Sequence, residues 1–349
     1  MDFSSDNAEG WAPEVLDALA AANDGPVPAY GNDPVTADVA QRFNRIFERE
    51  IAVFLVSTGT AANALAYAAV APAWGAIFVH EAAHVQVDEC GAPEFFTGGA
   101  KLIPLPGEHG RIAPQTLTAA LAHFYDGFVH HVQPSVLGLT QATESGTVYM
   151  PDEVATLTEV AHARRMAVHM DGARFANALV HLGCTPAEAT WKAGVDVMSF
   201  GATKNGCLAA EAVVFFKPEQ AASFAWLRKR SGHLFSKHRV LSAQMQAYLE
   251  DDLWLRLAGH ANRMATRLGA GLASAHGVRL WHPVQANEVF VSFPGDVAAR
   301  LFERGVSFHP WQVPGDTAEG RMCRFVTSFR TREDDVDRCV ALVQELCPG

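Results

Sequence analysis

VHMDGARF, residues 168–175, and SFGATKNG, residues 199–206, are two segments built alike. Each opens as a short apolar run of strand character and closes on a residue that can do chemistry, Asp171 in the first and Lys204 in the second, 33 residues apart. A carboxylate at the end of one strand and an amine just past the end of another suit pyridoxal phosphate (PLP). The amine forms a Schiff base, and the acid keeps the pyridine nitrogen protonated so that the ring can accept electrons from a substrate carbanion. The competing reading makes Asp171 a turn cap and Lys204 a solvated surface lysine. Apolar sequence on both sides of each residue argues against it.

The neighbouring sequence continues the pattern outward. Between residues 50 and 216, β-rich runs alternate with alanine-rich helical stretches. This is how βα units read when they build a mostly parallel sheet. The expected strands are AVFLVS (52–57), AIFVH (76–80), GFVHHV (127–132), MAVHM (166–170), DVMSF (196–200) and AVVFF (212–216). Their continuous apolar character predicts burial on both faces. Helices are expected after the first strand and over 150–165, the latter opened by Pro151 and Asp152. A long helical stretch over 240–274 precedes a change of pattern, with strands EVFVSF and CRFVTSF and helices near 295–305 and 333–346. The fold class expected is therefore α/β, with a large domain over 1–252 and a small α+β domain over 253–349.

Composition narrows the function. The chain has 349 residues, 49% of them hydrophobic, enough for a sizeable core. Thirty-eight acidic against 27 basic side chains leave a net charge of −11, which disfavours nucleic-acid and anionic-membrane partners and points to a small-molecule substrate. Six scattered cysteines form no CxxC pair, and no apolar run reaches the roughly 18 residues of a membrane span, so a reduced, cytoplasmic protein is expected.

Two further motifs bear on chemistry. Ser57-Thr58-Gly59-Thr60 joins an apolar strand to a helix, and a helix N-terminus at Gly59 and Thr60 would receive a phosphate on its unpaired N–H groups. The patterns GxxxxGK[ST] and GxGxxG are both absent. His80-Glu81-Ala82-Ala83-His84 is a formal HExxH, which in a zinc peptidase lies on one helix. Here it follows a β run and precedes a Gly- and Pro-bearing segment, so no metal is expected. In the PLP reading His84 would lie on the ring face and could exchange protons. Arg174, three residues after Asp171, and Arg324, inside an apolar β run, are candidate carboxylate clamps.

Taken together, SSDN with Ser5, YGNDPVT, STGTAAN, the AAH loop, HMDGARFANA, TKNG and RFVTS resemble fold-type I PLP enzymes, and more closely the low-specificity L-threonine aldolase family. The resemblance covers most of the chain. It implies that Lys204 is the Schiff-base lysine, Asp171 the pyridine-nitrogen partner and His84 the stacked ring, with Gly59 and Thr60 at the phosphate. It also implies that Arg174 contacts the ring oxygen and substrate carboxylate, and that Ser5 and Arg324 complete the carboxylate site. Tyr30 would act at a neighbouring subunit's site within a dimer-based homotetramer. The implied reaction is retro-aldol cleavage of L-threonine, L-allo-threonine or a related β-hydroxy-α-amino acid such as phenylserine, to glycine and an aldehyde. The alternatives are a PLP β-eliminating lyase or racemase and, outside this chemistry, the zinc peptidase.

Two departures from the family pattern stand out. Many members carry Asn-Thr-His-Asn where this chain has QATE (141–144), so a second active-site histidine is replaced near Thr143. His130 and His131 are candidates for the missing base. Where the family has Gly-Gly-Gly-Met-Arg-Gln, this chain has SGHLFSK (231–237), which leaves Lys237 as a candidate for the subunit-bridging contact.

Overall fold

Seven strands form the principal sheet of the computed structural model, which describes residues 1–311 and 322–348. They are β1 Ala52–Val56, β2 Gly75–His80, β3 Lys101–Leu105, β4 Gln133–Thr140, β5 Ala167–Gly172, β6 Val197–Gly201 and β7 Glu211–Phe215. Their order across the sheet is β1-β7-β6-β5-β4-β2-β3, with β7 antiparallel to both its neighbours and the rest of the pairs parallel. The α/β architecture and mostly parallel sheet expected from the sequence are present. Strands β2, β6 and β7 are buried along their whole length, because helices cover both faces. One core gathers Phe43, Phe47, Phe175, Phe200, Tyr248 and Trp254, while Leu65, Val197, Val213 and Phe215 belong to another.

A second sheet, β10-β11-β9-β8, is antiparallel throughout: β8 Arg279–Leu280, β9 Glu288–Ser292, β10 His309–Trp311 and β11 Met322–Val326. With the helices Leu253–Ala273 and Glu333–Leu346 it encloses a separate core that includes Leu268, Val289, Phe325 and Val343. Phe3 joins this core, its amide donating to the Ser307 carbonyl and its carbonyl accepting from the Val326 amide, each at 2.8 Å. That docking delivers Ser5, Asp6 and Asn7 from the small sheet toward the C-terminal ends of the parallel strands, where open α/β sheets bind ligands.

One expected strand is corrected. Residues 127–132 form an exposed loop, with Val129 91% accessible, and the strand begins at Gln133 instead. Gln133 ties the loop back, accepting from the Gly127 amide and donating to the Phe128 and His131 carbonyls. The β-propensity of GFVHHV has no layer to pack against, whereas Val136, Leu137 and Leu139 of the less β-rich QPSVLGLT are buried. Gly138 explains part of the choice: a Cβ there would meet the Tyr67 hydroxyl at 2.3 Å. No helix among the described residues is long and apolar enough to cross a membrane.

Candidate active site

The TKNG segment is a one-turn 3-10 helix, Thr203–Asn205, closing directly after β6. Asn205 holds the turn down by donating to the Tyr248 hydroxyl at 2.7 Å and the Trp254 carbonyl at 2.8 Å. Gly206 sits at φ +118°, a conformation reserved in practice for glycine, and a Cβ there would meet Leu257 and Ala12. Lys204 is thereby presented half-buried at the mouth of the sheet. Glu211 is buried nearby and accepts from the Ala202 amide; burial pushes its carboxyl up to about 7 against the pull of those hydrogen bonds and of Lys204.

Asp171 ends β5 and is 6% exposed. Its carboxylate accepts from Asn63 Nδ2 at 2.8 Å and from the Ala173 amide at 3.0 Å. Asn63 also donates to Glu89 at 2.9 Å, and Glu89 in turn is 2.8 Å from His84 Nδ1. Glu89 raises the His84 pKa by this bond, more than burial lowers it. Burial and the nearby Asp171 hold the Glu89 carboxyl up, against the pull of His84. His84 opens a short helix, His84–Val87, rather than ending a strand loop.

The helix Gly59–Val70 begins with Thr58 as its N-cap, the Thr58 side chain accepting from the Ala61 amide. This leaves the first amides of the helix, those of Gly59 and Thr60, without an intrahelical acceptor. Ser57 beside them is contacted by His233, whose Nδ1 is 3.1 Å from the Ser57 hydroxyl and accepts from the Ser57 amide. Within SGHLFSK, His233 is thus the residue that reaches this cradle in the same chain. Lys237 is exposed, and Tyr30 lies on the surface near it, its amide bonded to the Ser236 carbonyl and its ring under Lys229.

Arg174 does not stand open to solvent. Its Nε and Nη2 donate to both oxygens of Asp6, at 2.8 and 3.0 Å, and Nη1 faces Glu288 at 3.5 Å. Burial pulls the Arg174 pKa down, but Asp6 and Glu288 more than restore it. Burial likewise pushes Asp6 up, and Arg174 and then Lys204 bring it below the usual carboxylate range. Arg324 lies on β11, an inner strand of the small sheet, with its guanidinium 4.6 Å from the Trp311 ring centre and 3.8 Å from Glu288. Burial pulls its pKa down, and its Nε is buried without a hydrogen-bond acceptor among the described residues. Ser5 caps the 3-10 turn Asp6–Ala8 at the edge of this cavity.

Asp6 was not marked by the sequence reading although it lies in SSDN. Removing one partner of a buried, hydrogen-bonded ion pair costs about 3–5 kcal/mol. Asp6→Ala should therefore lower the melting temperature markedly, as measured by calorimetry, whereas Asp2→Ala at the exposed terminus should not. Equal melting of both variants would contradict the assignment.

Two cavities result, of about 430 and 380 Å³, the first lined by Ser57–Thr60, Asp171 and Glu211 and the second by Ser5, Trp311, Glu288 and Arg324. Asn7, His84, Glu144, Arg174 and Lys204 line both. Of the other candidates, His130 and His131 are exposed on the 127–132 loop and line neither cavity. Thr143 is buried, its hydroxyl bonded to Thr147 and the His109 carbonyl. His80 ends β2 with both ring nitrogens at backbone groups, Gly107 and Ala82, while His84 starts a separate helix. The HExxH residues therefore lack the common helix that zinc ligation needs. No group of three metal-ligating side chains occurs among the described residues.

The first cavity fits PLP: a buried carboxylate, a lysine and a helix N-terminus line one space, and the sheet order places them at its strand ends. A fold-type I, PLP-dependent lyase is the class that this fold and site define. A family model for the beta-eliminating lyases matches residues 2–294. A low specificity L-threonine aldolase of Pseudomonas aeruginosa is 42% identical over 346 residues, covering 99% of this chain and 97% of that one. A solved threonine aldolase structure from Leishmania major superposes with a TM-score of 0.93 at 27% identity, covering 99% of both chains. A serine palmitoyltransferase of Sphingomonas wittichii, 16% identical with a TM-score of 0.73, over 99% of this chain and 86% of that one, shares the fold. The chain belongs to the low-specificity L-threonine aldolases among the beta-eliminating lyases.

Proposed function

We propose that the protein cleaves L-threonine, L-allo-threonine and related β-hydroxy-α-amino acids to glycine and an aldehyde. The observation that carries this reading is the joining of a cofactor-sized cavity to an arginine-bearing one across Lys204. Bound PLP supplies an electron sink for the pair left on Cα. Lys204 anchors it, Asp171 holds a proton on its pyridine nitrogen, and the amides of Gly59 and Thr60, with Ser57 and His233, take its phosphate. His84, fixed by Glu89, covers one face of the ring.

Arg324 receives the substrate carboxylate, with Ser5 at the rim. Arg174 spends Nε and one Nη2 hydrogen on Asp6 and turns Nη1 toward Glu288, so it holds the N-terminal segment in place and offers its remaining N–H groups to the substrate or ring oxygen. Tyr30 and Lys237 serve contacts with a neighbouring subunit in a dimer-based homotetramer, and the enzyme works on amino acids in the cytoplasm. The products test the reading. Incubation with L-threonine should yield glycine and acetaldehyde in equal amounts. Release of 2-oxobutanoate and ammonia would instead indicate β-elimination, and change of configuration without cleavage would indicate racemisation.

A further inference from the structure

We infer that Glu144, the last residue of QATE, is the group that takes the proton from the β-hydroxyl of the substrate, an inference that rests on the aldol reading above. Its position is the first reason. Glu144 is one of the few residues shared by both cavities, beside Lys204, His84 and Arg174, where the Cα–Cβ bond of an amino acid held between cofactor and carboxylate clamp must lie. Its anchoring is the second. Oε1 accepts from the His84 amide and from the Thr140 hydroxyl, each at 2.9 Å, while Oε2 is buried without a partner among the described residues. The side chain is thus held in one orientation with one oxygen left over to accept a proton.

The other groups at this junction are committed elsewhere. Asp171 is bonded to Asn63 and the Ala173 amide, and Glu89 is held by Asn63 and His84. His84 is committed to Glu89 through Nδ1, and this bond raises its proton affinity. Arg174 is paired with Asp6 and Glu288, and Lys204 is the residue assigned to the cofactor. Burial raises the Glu144 carboxyl to about 7, Asp171 pushing the same way and the His84 amide and Thr140 pulling it down. A base so placed is half ionised near neutrality, where general-base catalysis is most effective.

The step balances. The hydroxyl O–H and the Cα–Cβ bond break, and a Glu144 O–H bond and the aldehyde C=O bond form. The electron pair left on Cα is held by the cofactor until Cα is protonated, and Glu144 returns its proton to water once the aldehyde has left.

Glu144→Gln tests this, since its amide oxygen can still accept from His84 and Thr140. We expect kcat for threonine cleavage to fall by about 10²–10⁴-fold, with loss of the rise in rate through pH 7. Exchange of the glycine α-hydrogen with deuterated water, which needs no β-hydroxyl, should stay within a few-fold. A readout without turnover accompanies it. The folded-state pKa of Glu144 lies above the ordinary carboxyl value, so its contribution to stability is full at low pH and is lost as pH rises from about 4.5 to about 7. The melting temperature of the apoprotein should therefore fall less over that window in Glu144→Gln, Glu89 and Glu211 still contributing in both proteins. Cleavage within a few-fold of the parent, an unchanged pH limb, or parallel loss of glycine exchange would each overturn the inference. A parent protein that releases no aldehyde at all would overturn the aldol reading instead.

Discussion

Lys204→Ala is expected to abolish aldehyde release and, with it, the yellow colour that PLP takes on when joined to a lysine. Asn205 pins the backbone on Tyr248 and Trp254, Gly206 permits the bend, and the amine projects into the space that both cavities share. No other lysine lines either cavity, so no neighbour can replace it. Borohydride treatment followed by mass analysis should find the cofactor on the peptide containing Lys204 in the parent and nowhere in the variant. Full turnover in Lys204→Ala, or labelling at another lysine, would refute the assignment.

Asp171→Asn should retain the shape of the site but lower kcat by about 10³-fold, roughly 4 kcal/mol of barrier. Asparagine matches the shape but has one acceptor oxygen where Asp171 uses two, so it keeps the bond to the Ala173 amide or to Asn63 and not both, while the helix start at Gly59 is untouched. What disappears is the charge that holds a proton on the pyridine nitrogen, and with it the ring's capacity to accept the Cα electron pair. The same change removes a negative neighbour that pushes Glu144 and Glu89 upward. Any residual activity should therefore have its rising pH limb displaced to lower pH. Steady-state kinetics across pH 5 to 9 would measure both effects. A loss of less than about tenfold, or a limb displaced to higher pH, would count against the role given to Asp171.

Much of this candidate site could be read along the chain because its residues lie at or just past the ends of strands. Asp171, Lys204 and Gly59 each follow an apolar run, and their segments carry glycines with a local reason to be there. His84 was also legible, although Glu89, which orients it, lies five residues on in a segment with no regular period. Asn63 was in view within STGTAAN, one helical turn from Gly59, yet its bonds to Asp171 and Glu89 join three separate elements. GFVHHV misled because its β-propensity is intrinsic while its burial is not. His130 and His131, candidates for the missing base by sequence, share that exposed loop and border neither cavity.

The sequence by itself determined the α/β class and the small second sheet, and it marked the lysine, the acid and the helix start that are proposed to hold the cofactor. These features depend on periodicity, glycine and local caps. Only the tertiary structure decided how the charged residues are shared. Docking of Phe3 on the small sheet brings Asp6 against Arg174, and the inner position of β11 sets Arg324 near Glu288. The packing of QATE beside His84 turns a carboxylate with no recognisable motif into one whose proton affinity is set by burial. The Asp6–Arg174 pair joins residues 168 positions apart, and the energies of such pairings depend on distance and dielectric rather than on order along the chain.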